Sequence, residues 1–465
     1  MSQASSPRAV MRLAWPIGVS MISFALKGVV DMLMVGRLGP IALAGVGFAQ
    51  IAAWMAFTFP WGMLRGQRPL VSQYHGAGDS QASFAFGVQG FYLGALWGGL
   101  LFALAWIAKG FLEGVAGTTA LDPAACSLAG EYLKWRLVFA LPTILAFAVA
   151  EYQRSLERTR IPMLVDIVTH PLNILFNWAL IFGNLGLPAL GAKGAAIGTG
   201  LADLCALAFL LWKVRPAKPL PWKALAFRWN RMKEVLSVGI TGGVQFTLEN
   251  LSFAVISYMV AFLGTLTVAV NQAGISLIHL SLMPAIAIGD GGSVLIGKFI
   301  GEKRWDEAAR TLRSMLAILV PFMGAMGVVY LLAGRWLVKL YINEDDPVLL
   351  EEALTLGAGV MTAIALFQLG DALQVAYRFA LRAAGDHYFV MRWGILVAWL
   401  LSAPLSWVVI FALGGNLAHV WYAWAVESWV GGLIFALRWK GGAWKTKRLV
   451  RVEAPASPMP GGEVF

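Results

Sequence analysis

The sequence predicts an all-α integral membrane protein whose twelve transmembrane helices form two pseudo-symmetric six-helix bundles. Three observations carry that prediction. Of 465 residues, 59% are hydrophobic and only 13% charged, with a mean hydropathy of +0.70, far above the ordinary globular mixture. Apolar windows able to cross a hydrocarbon core of roughly 30 Å, which takes about 20 helical residues, recur from Val10 to Leu437 with short polar breaks. The second half of the chain also repeats the order of the first.

The windows lie near 10–36, 41–64, 83–108, 126–150, 160–183, 190–213, 234–262, 266–300, 308–333, 350–381, 387–413 and 416–438. Their length excludes the strands of a membrane barrel, which would alternate apolar and polar residues over about ten positions. The opening MSQASSPRAVMRLAWP has no small-residue cleavage site behind a short apolar core, so no removable signal peptide is read, and the first window serves as its own insertion signal. Residues 1–213 make an N-lobe, 214–229 a basic, proline-containing linker and 230–440 a C-lobe. The remaining 441–465 read as a cytoplasmic tail, disordered where Pro and Gly accumulate.

With the N-terminus inside, about 28 of the 36 basic residues fall on the inner side and about 7 on the outer. The net charge of +11 therefore reports topology, with both termini cytoplasmic, and not a nucleic-acid partner. Acidic residues do the reverse: Glu344 to Asp346, Glu351 and Glu352 fall in an outer loop. The twenty tryptophans suit interfacial belts, and Cys126 and Cys205 give no basis for a disulfide.

The repeat is explicit. MVGRLGPIALAGVG…VSQYHGAGD at 34–79 aligns with MVAFLGTLTVAVNQ…VLIGKFIGEK at 259–303 at a constant offset of 225, placing Gly39 on Gly264 and Gly76 on Gly301. QRSLERTRIPM likewise superposes Arg154 on Arg382 and Met163 on Met391. Six helices per half is an even number, so both halves enter the membrane in the same sense. The pseudo-two-fold then lies along the membrane normal, with the solute path between the lobes.

LAWPI, VGRLGPIALAGVG, VSQYHGAGD and LNILFNWALIFGNLGLPALGAKGAAIGT, in this order, resemble the signature segments of the multidrug and toxic compound extrusion (MATE) family, and LNILFNW is similar to its NorM-type bacterial branch. The resemblance implies two six-helix bundles around a central cleft. It also implies a secondary antiporter in the bacterial inner membrane that exports amphipathic, often cationic, organic compounds by alternating access. Protons or sodium ions would drive it. No cofactor is implied, and the expected partners are a small-molecule substrate and membrane lipid, with the chain acting as a monomer.

Ionisable residues inside spans mark function by default. Asp31 lies in GVVDMLMVG; Asn173 and Asn177 are four apart on one helix face, as are Thr199 and Asp203. A carboxylate, amide carbonyls and a hydroxyl are hard oxygen ligands, suited to a cation or to a protonated carboxylate in a hydrogen-bond network. By the resemblance, Asp31, Asn173, Asn177 and Thr199 match the family's N-lobe polar cluster, to which Asp203 is added. Glu249 and Asp371 match a pair of C-lobe cation-site carboxylates, a possible sodium site. Two carboxylates in low dielectric repel, so without a cation at least one is expected to carry a proton. Phe367 stands four residues before Asp371 where the family pattern has tyrosine, which favours protons over sodium. Gln272 resembles a cleft-facing glutamine. Lys27 is one turn before Asp31, where the family usually has no lysine, and is expected to reach that carboxylate as an internal counter-ion or to anchor an anionic group of the substrate.

Other polar residues carry less. Asp290 suggests a solvated or gate position, Asp166 and His170 an interfacial pair, and His279 a satisfied buried histidine; Glu427 has no nameable partner. HGAGD, with Gly76, Gly78 and Asp79, reads as a turn, because no GxxxxGK[ST] follows. The histidines at 75, 170, 279, 387 and 419 are too scattered for a membrane-embedded enzyme. A flippase or exporter of lipid-linked or natural-product substrates in the same superfamily is the alternative, although such proteins tend to have more cationic clefts and often fourteen helices.

Overall fold

The computed structural model describes residues 3–118, 122–214, 225–342 and 345–450. Most of the linker, Glu344 and the last fifteen residues of the tail lie outside them. The N-lobe comprises α1 (Pro7–Gly36), α2 (Pro40–Leu64), α3 (Gln67–Gly76), α4 (Ser80–Gly117), α5 (Pro123–Val138), α6 (Ala140–Ser155), α7 (Arg160–Phe182) and α8 (Ala192–Val214). The C-lobe comprises α9 (Trp229–Ala261), α10 (Thr265–Gly301), α11 (Trp305–Lys339), α12 (Pro347–Ala384), α13 (His387–Val397), α14 (Ala403–Trp407) and α15 (Leu417–Lys440). Eleven helices among the described residues are long and apolar enough to cross a membrane, and α5 with α6, bent by 50° at Phe139, makes the twelfth span. The eleventh span passes from α13 to α14 through a π-helical segment, Ala398–Ser402. There Ser252 donates to the Ala398 carbonyl at 3.2 Å, satisfying a backbone acceptor loosened by the π geometry.

The repeat is built into the backbone. Gly39 precedes α2 with φ +105° and ψ 172°, and Gly264 precedes α10 with φ +101° and ψ 165°, a conformation that L side chains rarely adopt. The first helix of each half crosses the second helix of the other at equivalent small residues. A Cβ on Gly66 would lie 2.5 Å from the Cα of Gly239, and one on Gly291 would lie 2.9 Å from the amide nitrogen of Ala14; both pairings obey the offset of 225. At the end of the same helices a Cβ on Gly76 would meet the Lys298 carbonyl at 2.0 Å, and one on Gly301 the Gln73 carbonyl at 2.0 Å. Small residues let helices approach to backbone contact, which is how membrane helices gain packing without a hydrophobic drive between them.

These crossings lie toward the end of the bundle that holds the start of α1, called the basic end after its loops. One apolar core there mixes Val10, Leu13 and Ala14 of α1 with Ile288, Leu295 and Ile300 of α10, whereas the core around Leu277, Tyr330 and Trp421 at the other end belongs to the C-lobe alone. The lobes are therefore sealed at the basic end and part toward the other. A cavity of about 860 Å³ lies against the parted halves of α1 and α2, lined by Gly28, Val29, Met32, Leu33, Arg37 and Gln50 among others.

Residues 441–450, the part of the tail before the Pro- and Gly-rich stretch, pack on the bundle, and that stretch lies outside the described residues. Trp444 stacks on Trp439 with centroids 4.0 Å apart, and the Leu449 amide donates to the Gln73 side chain at 2.9 Å, so the chain beyond α15 straps the C-lobe to the N-lobe. Aromatic burial outweighs the polar composition of residues 441–450.

Candidate functional site

Three helices bring the N-lobe polar residues together, and their direction sets the pairing. α1 runs away from the basic end and α8 toward it, so the residues four apart on each form the rungs of an antiparallel ladder. Asp31 meets Thr199, whose hydroxyl donates to it at 3.1 Å; Lys27, one turn lower, meets Asp203 at 2.8 Å. The partner of Lys27 is thus Asp203, not Asp31 as the i,i+4 spacing suggested, because a facing helix presents a carboxylate at the right height. From α7, Asn177 donates to Asp31 at 2.5 Å and Asn173 donates to Thr199 at 3.2 Å. Gly198 makes this fit possible: a Cβ there would sit 2.3 Å from Oδ1 of Asn177. Asp31, Asn173, Asn177 and Thr199 are all buried, and the amide oxygens of both asparagines have no donor among the described residues.

Asp203 also accepts from Thr143 at 2.7 Å and lies 3.8 Å from the Arg136 guanidinium. Neither residue stood out by sequence. Arg136 and Thr143 flank the bend at Phe139, and Arg136, four residues before Ala140 inside an apolar span, was the available signal.

The C-lobe residues are arranged differently from the expectation. Glu249 forms an ion pair with Arg378 and accepts from Gln245 at 2.7 Å, while Gln245 in turn accepts from Arg382 at 2.5 Å. Asp371 is buried, with its Oδ2 unpartnered among the described residues. Arg378 stands within electrostatic reach of Glu249, Asp371 and Glu427 together, and Glu427 finds a partner in Gln374 at 3.4 Å. Glu249 and Asp371 therefore flank a fixed guanidinium, and no group of three or more His, Cys, Asp or Glu among the described residues is placed to hold a metal ion. Arg378 follows Asp371 by two helical turns on the same face, a spacing visible in the sequence. Phe367 is half-buried in an apolar cluster, and Gln272 is exposed with no hydrogen bond among the described residues.

Asp290 is neither solvated nor loose. It is buried and ion-paired with Arg68, which also binds Glu151 at 2.6 Å, and Glu151 accepts from Arg154 at 2.8 Å. Arg68, Glu151 and Arg154 belong to the N-lobe and Asp290 to the C-lobe, so the ion network crosses the seal. Lys298 with Glu157 at 2.6 Å crosses it again. Asp166 and His170 share no hydrogen bond among the described residues, and His279, expected to be buried, is exposed with its ring nitrogen 2.6 Å from the Ile275 carbonyl. Asp79 caps α4 by accepting from Ala82 at 2.7 Å, with Gly78 at φ +81°, so HGAGD is a turn.

Comparison with known proteins gives one consistent answer. A family model described as MatE matches residues 16–179 and 243–408. Probable multidrug resistance protein NorM of Pseudomonas syringae pv. tomato is 27% identical over 97% of this chain and 98% of its own. The protein of the same description from Rhizobium meliloti is 28% identical over 93% and 92%. A multidrug resistance MATE family transporter of the MOP superfamily, solved in an outward-facing conformation, superposes with a TM-score of 0.83 at 16% identity, over 94% of this chain and 96% of that one.

Proposed function

Because the chain belongs to the MatE family, the multidrug and toxic compound extrusion transporters, we propose that it is a proton-coupled secondary antiporter. It exports amphipathic organic compounds from the cytoplasm across a bacterial inner membrane. On this reading the basic end is cytoplasmic and both termini lie inside, in keeping with the positive-inside bias. The solute enters between the lobes when the basic end parts and leaves when the opposite end does, and the cavity against α1 and α2 offers it a mostly apolar wall.

One observation carries the choice of ion: Arg378 already occupies the position beside Glu249 that a sodium ion would need, while the buried Asp371 keeps an oxygen without a partner among the described residues. With Arg378 held by Glu249, an ionised and buried Asp371 has no close counter-ion of its own and is costly, whereas a protonated one is neutral and can donate. Proton uptake at Asp371 frees Arg378 to hold Glu249 more firmly, and proton release returns Asp371 to compete for the same guanidinium. The N-lobe offers a second proton-accepting site at Asp31, whose donors Asn177 and Thr199 can each turn to accept once the carboxylate is protonated.

The experiment is solute transport in proteoliposomes under a proton gradient or a sodium gradient imposed separately. A proton gradient drives uphill movement in wild type and fails to do so in Asp371→Asn. Transport driven by sodium alone, or an Asp371→Asn variant that keeps its proton dependence, would overturn the assignment.

A further inference from the structure

The ion network at the seal does not balance. Around it stand four guanidinium groups, Arg65, Arg68, Arg154 and Arg382, and two carboxylates, Glu151 and Asp290, both already taken by Arg68 and Arg154. Arg65 makes no ion pair or hydrogen bond among the described residues; its Nε is buried and unpartnered, and the group only overlies the Phe246 ring at 5.8 Å. Among the described residues Arg382 donates only to the neutral side chain of Gln245, since the neighbouring Glu249 is held by Arg378.

Arg65, Arg68 and Arg382 line one cavity of about 40 Å³ where the lobes meet, with Asp290, Ser293 and Phe379 completing its wall. Space for one water takes roughly 10–15 Å³ on this measure, so the cavity admits about three waters or one compact polyatomic group. Arg65 and Arg382 are half-buried and the carboxylates near them are paired to other arginines, so a further counter-charge is favourable there, and guanidinium presents a fork of donors that fits an oxyanion. Asp290 does not spoil the site for an anion, because Arg68 neutralises it. The Ser293 hydroxyl is spent on the Asp290 carbonyl at 2.7 Å, which leaves Arg65 and Arg382 as the free donors.

We infer that this inter-lobe cavity binds a compact oxyanion, a carboxylate or phosphate group, held by Arg65 of the N-lobe and Arg382 of the C-lobe. The group comes either from a free ion in the cytoplasm or from the acidic end of a transported solute, the second source resting on the antiport reading above. Because its two donors come from opposite lobes, the anion stabilises the sealed basic end and is released when the lobes part.

Two measurements on the purified full chain test this. In the first, equilibrium binding of radiolabelled inorganic phosphate in detergent is saturable in wild type and at least tenfold weaker in Arg65→Gln and Arg382→Gln, while Arg335→Gln, exposed on α11 and away from both cavities, binds as wild type. In the second, proteoliposomes are given a fluorescent amphipath with a free carboxylate and its methyl ester. If the solute is the source, wild type moves the acid at least tenfold faster than the ester, and Arg65→Gln loses that preference while still moving the ester. Saturable phosphate binding without acid preference assigns the site to a free ion. Failure to move either compound counts against antiport, and phosphate binding still decides the cavity. Should a glutamine variant not fold, Arg65→Lys keeps the charge without the fork and is expected to bind phosphate more weakly than wild type. Absence of both phosphate binding and acid preference in wild type, or binding unchanged in the variants, overturns the inference.

Discussion

Replacing Arg68 by glutamine tests whether the ion network holds the basic end shut. Arg68 is 5% exposed, Glu151 0% and Asp290 1%. Without the guanidinium, Glu151 keeps Arg154, but Asp290 loses its only ion-pair partner among the described residues. Removing one member of a buried pair costs about 3–5 kcal/mol when the remaining charge stays desolvated and unpaired, and the lower end applies here because Arg65 and Arg382 line the same cavity as Asp290. That cost falls on the sealed state alone, because parting the lobes brings Asp290 to water. At about 1.4 kcal/mol per tenfold, the ratio of sealed to open molecules falls roughly a hundredfold. Spin labels at positions 158 and 313, exposed near the basic end of each lobe, report this in a cysteine-free background by pulsed dipolar spectroscopy. Wild type gives one short distance; Arg68→Gln gives a dominant longer one. Adding Asp290→Asn removes the orphaned charge and restores much of the short distance. An Arg68→Gln distribution identical to wild type would refute the argument.

Lys27→Ala leaves Asp203, among the described residues, with Thr143 and the more distant Arg136, so a loss of about 1–2 kcal/mol is expected for this partly exposed pair, largely recovered in Lys27→Ala with Asp203→Asn, as read by denaturation midpoints. Asp31→Asn presents an amide donor to the donors of Asn177 and Thr199; it lowers proton-driven transport at least tenfold while surface expression persists, checked in the same vesicles. Gly76→Leu forces the helix away from the Lys298 carbonyl, so a thiol placed at Ser72 becomes reactive from the basic side, whereas in wild type it stays buried.

The fold was legible because hydropathy is a local property. Twelve apolar windows needed no tertiary information, and the offset of 225 survives because the glycines at helix crossings have no substitute: at Gly76 or Gly301 any side chain would enter a carbonyl oxygen. The members of the N-lobe cluster were legible for the same reason, since spacing by four fixes a face. Their pairing was not. Whether Lys27 turns to Asp31 or to Asp203 depends on the height of α8 against α1, which no single-helix rule contains. The arginines were overlooked for another reason. Arg68, Arg154 and Arg382 lie near helix ends, where a basic residue reads as an interfacial anchor until a second lobe is packed against it.

Symmetric backbone and asymmetric chemistry then have one explanation. The offset that superposes Ala14 on Gly239 and Gly18 on Gly243 places Lys27 on Ser252, Asp31 on Ile256 and Glu249 on Phe24, so beyond the first turns, where Arg8 falls on Lys233, no charged group of one first helix is repeated on the other. Crossings must match because each lobe closes on the other through the same contact, and a side chain on either partner would hold both apart. The polar clusters face no such constraint: each draws its partners from its own lobe, from α7 and α8 around Asp31 and from α9 around Arg378. Two non-equivalent polar clusters on one symmetric backbone follow from that separation, and with them the expectation that Asp31→Asn and Asp371→Asn alter transport in different ways.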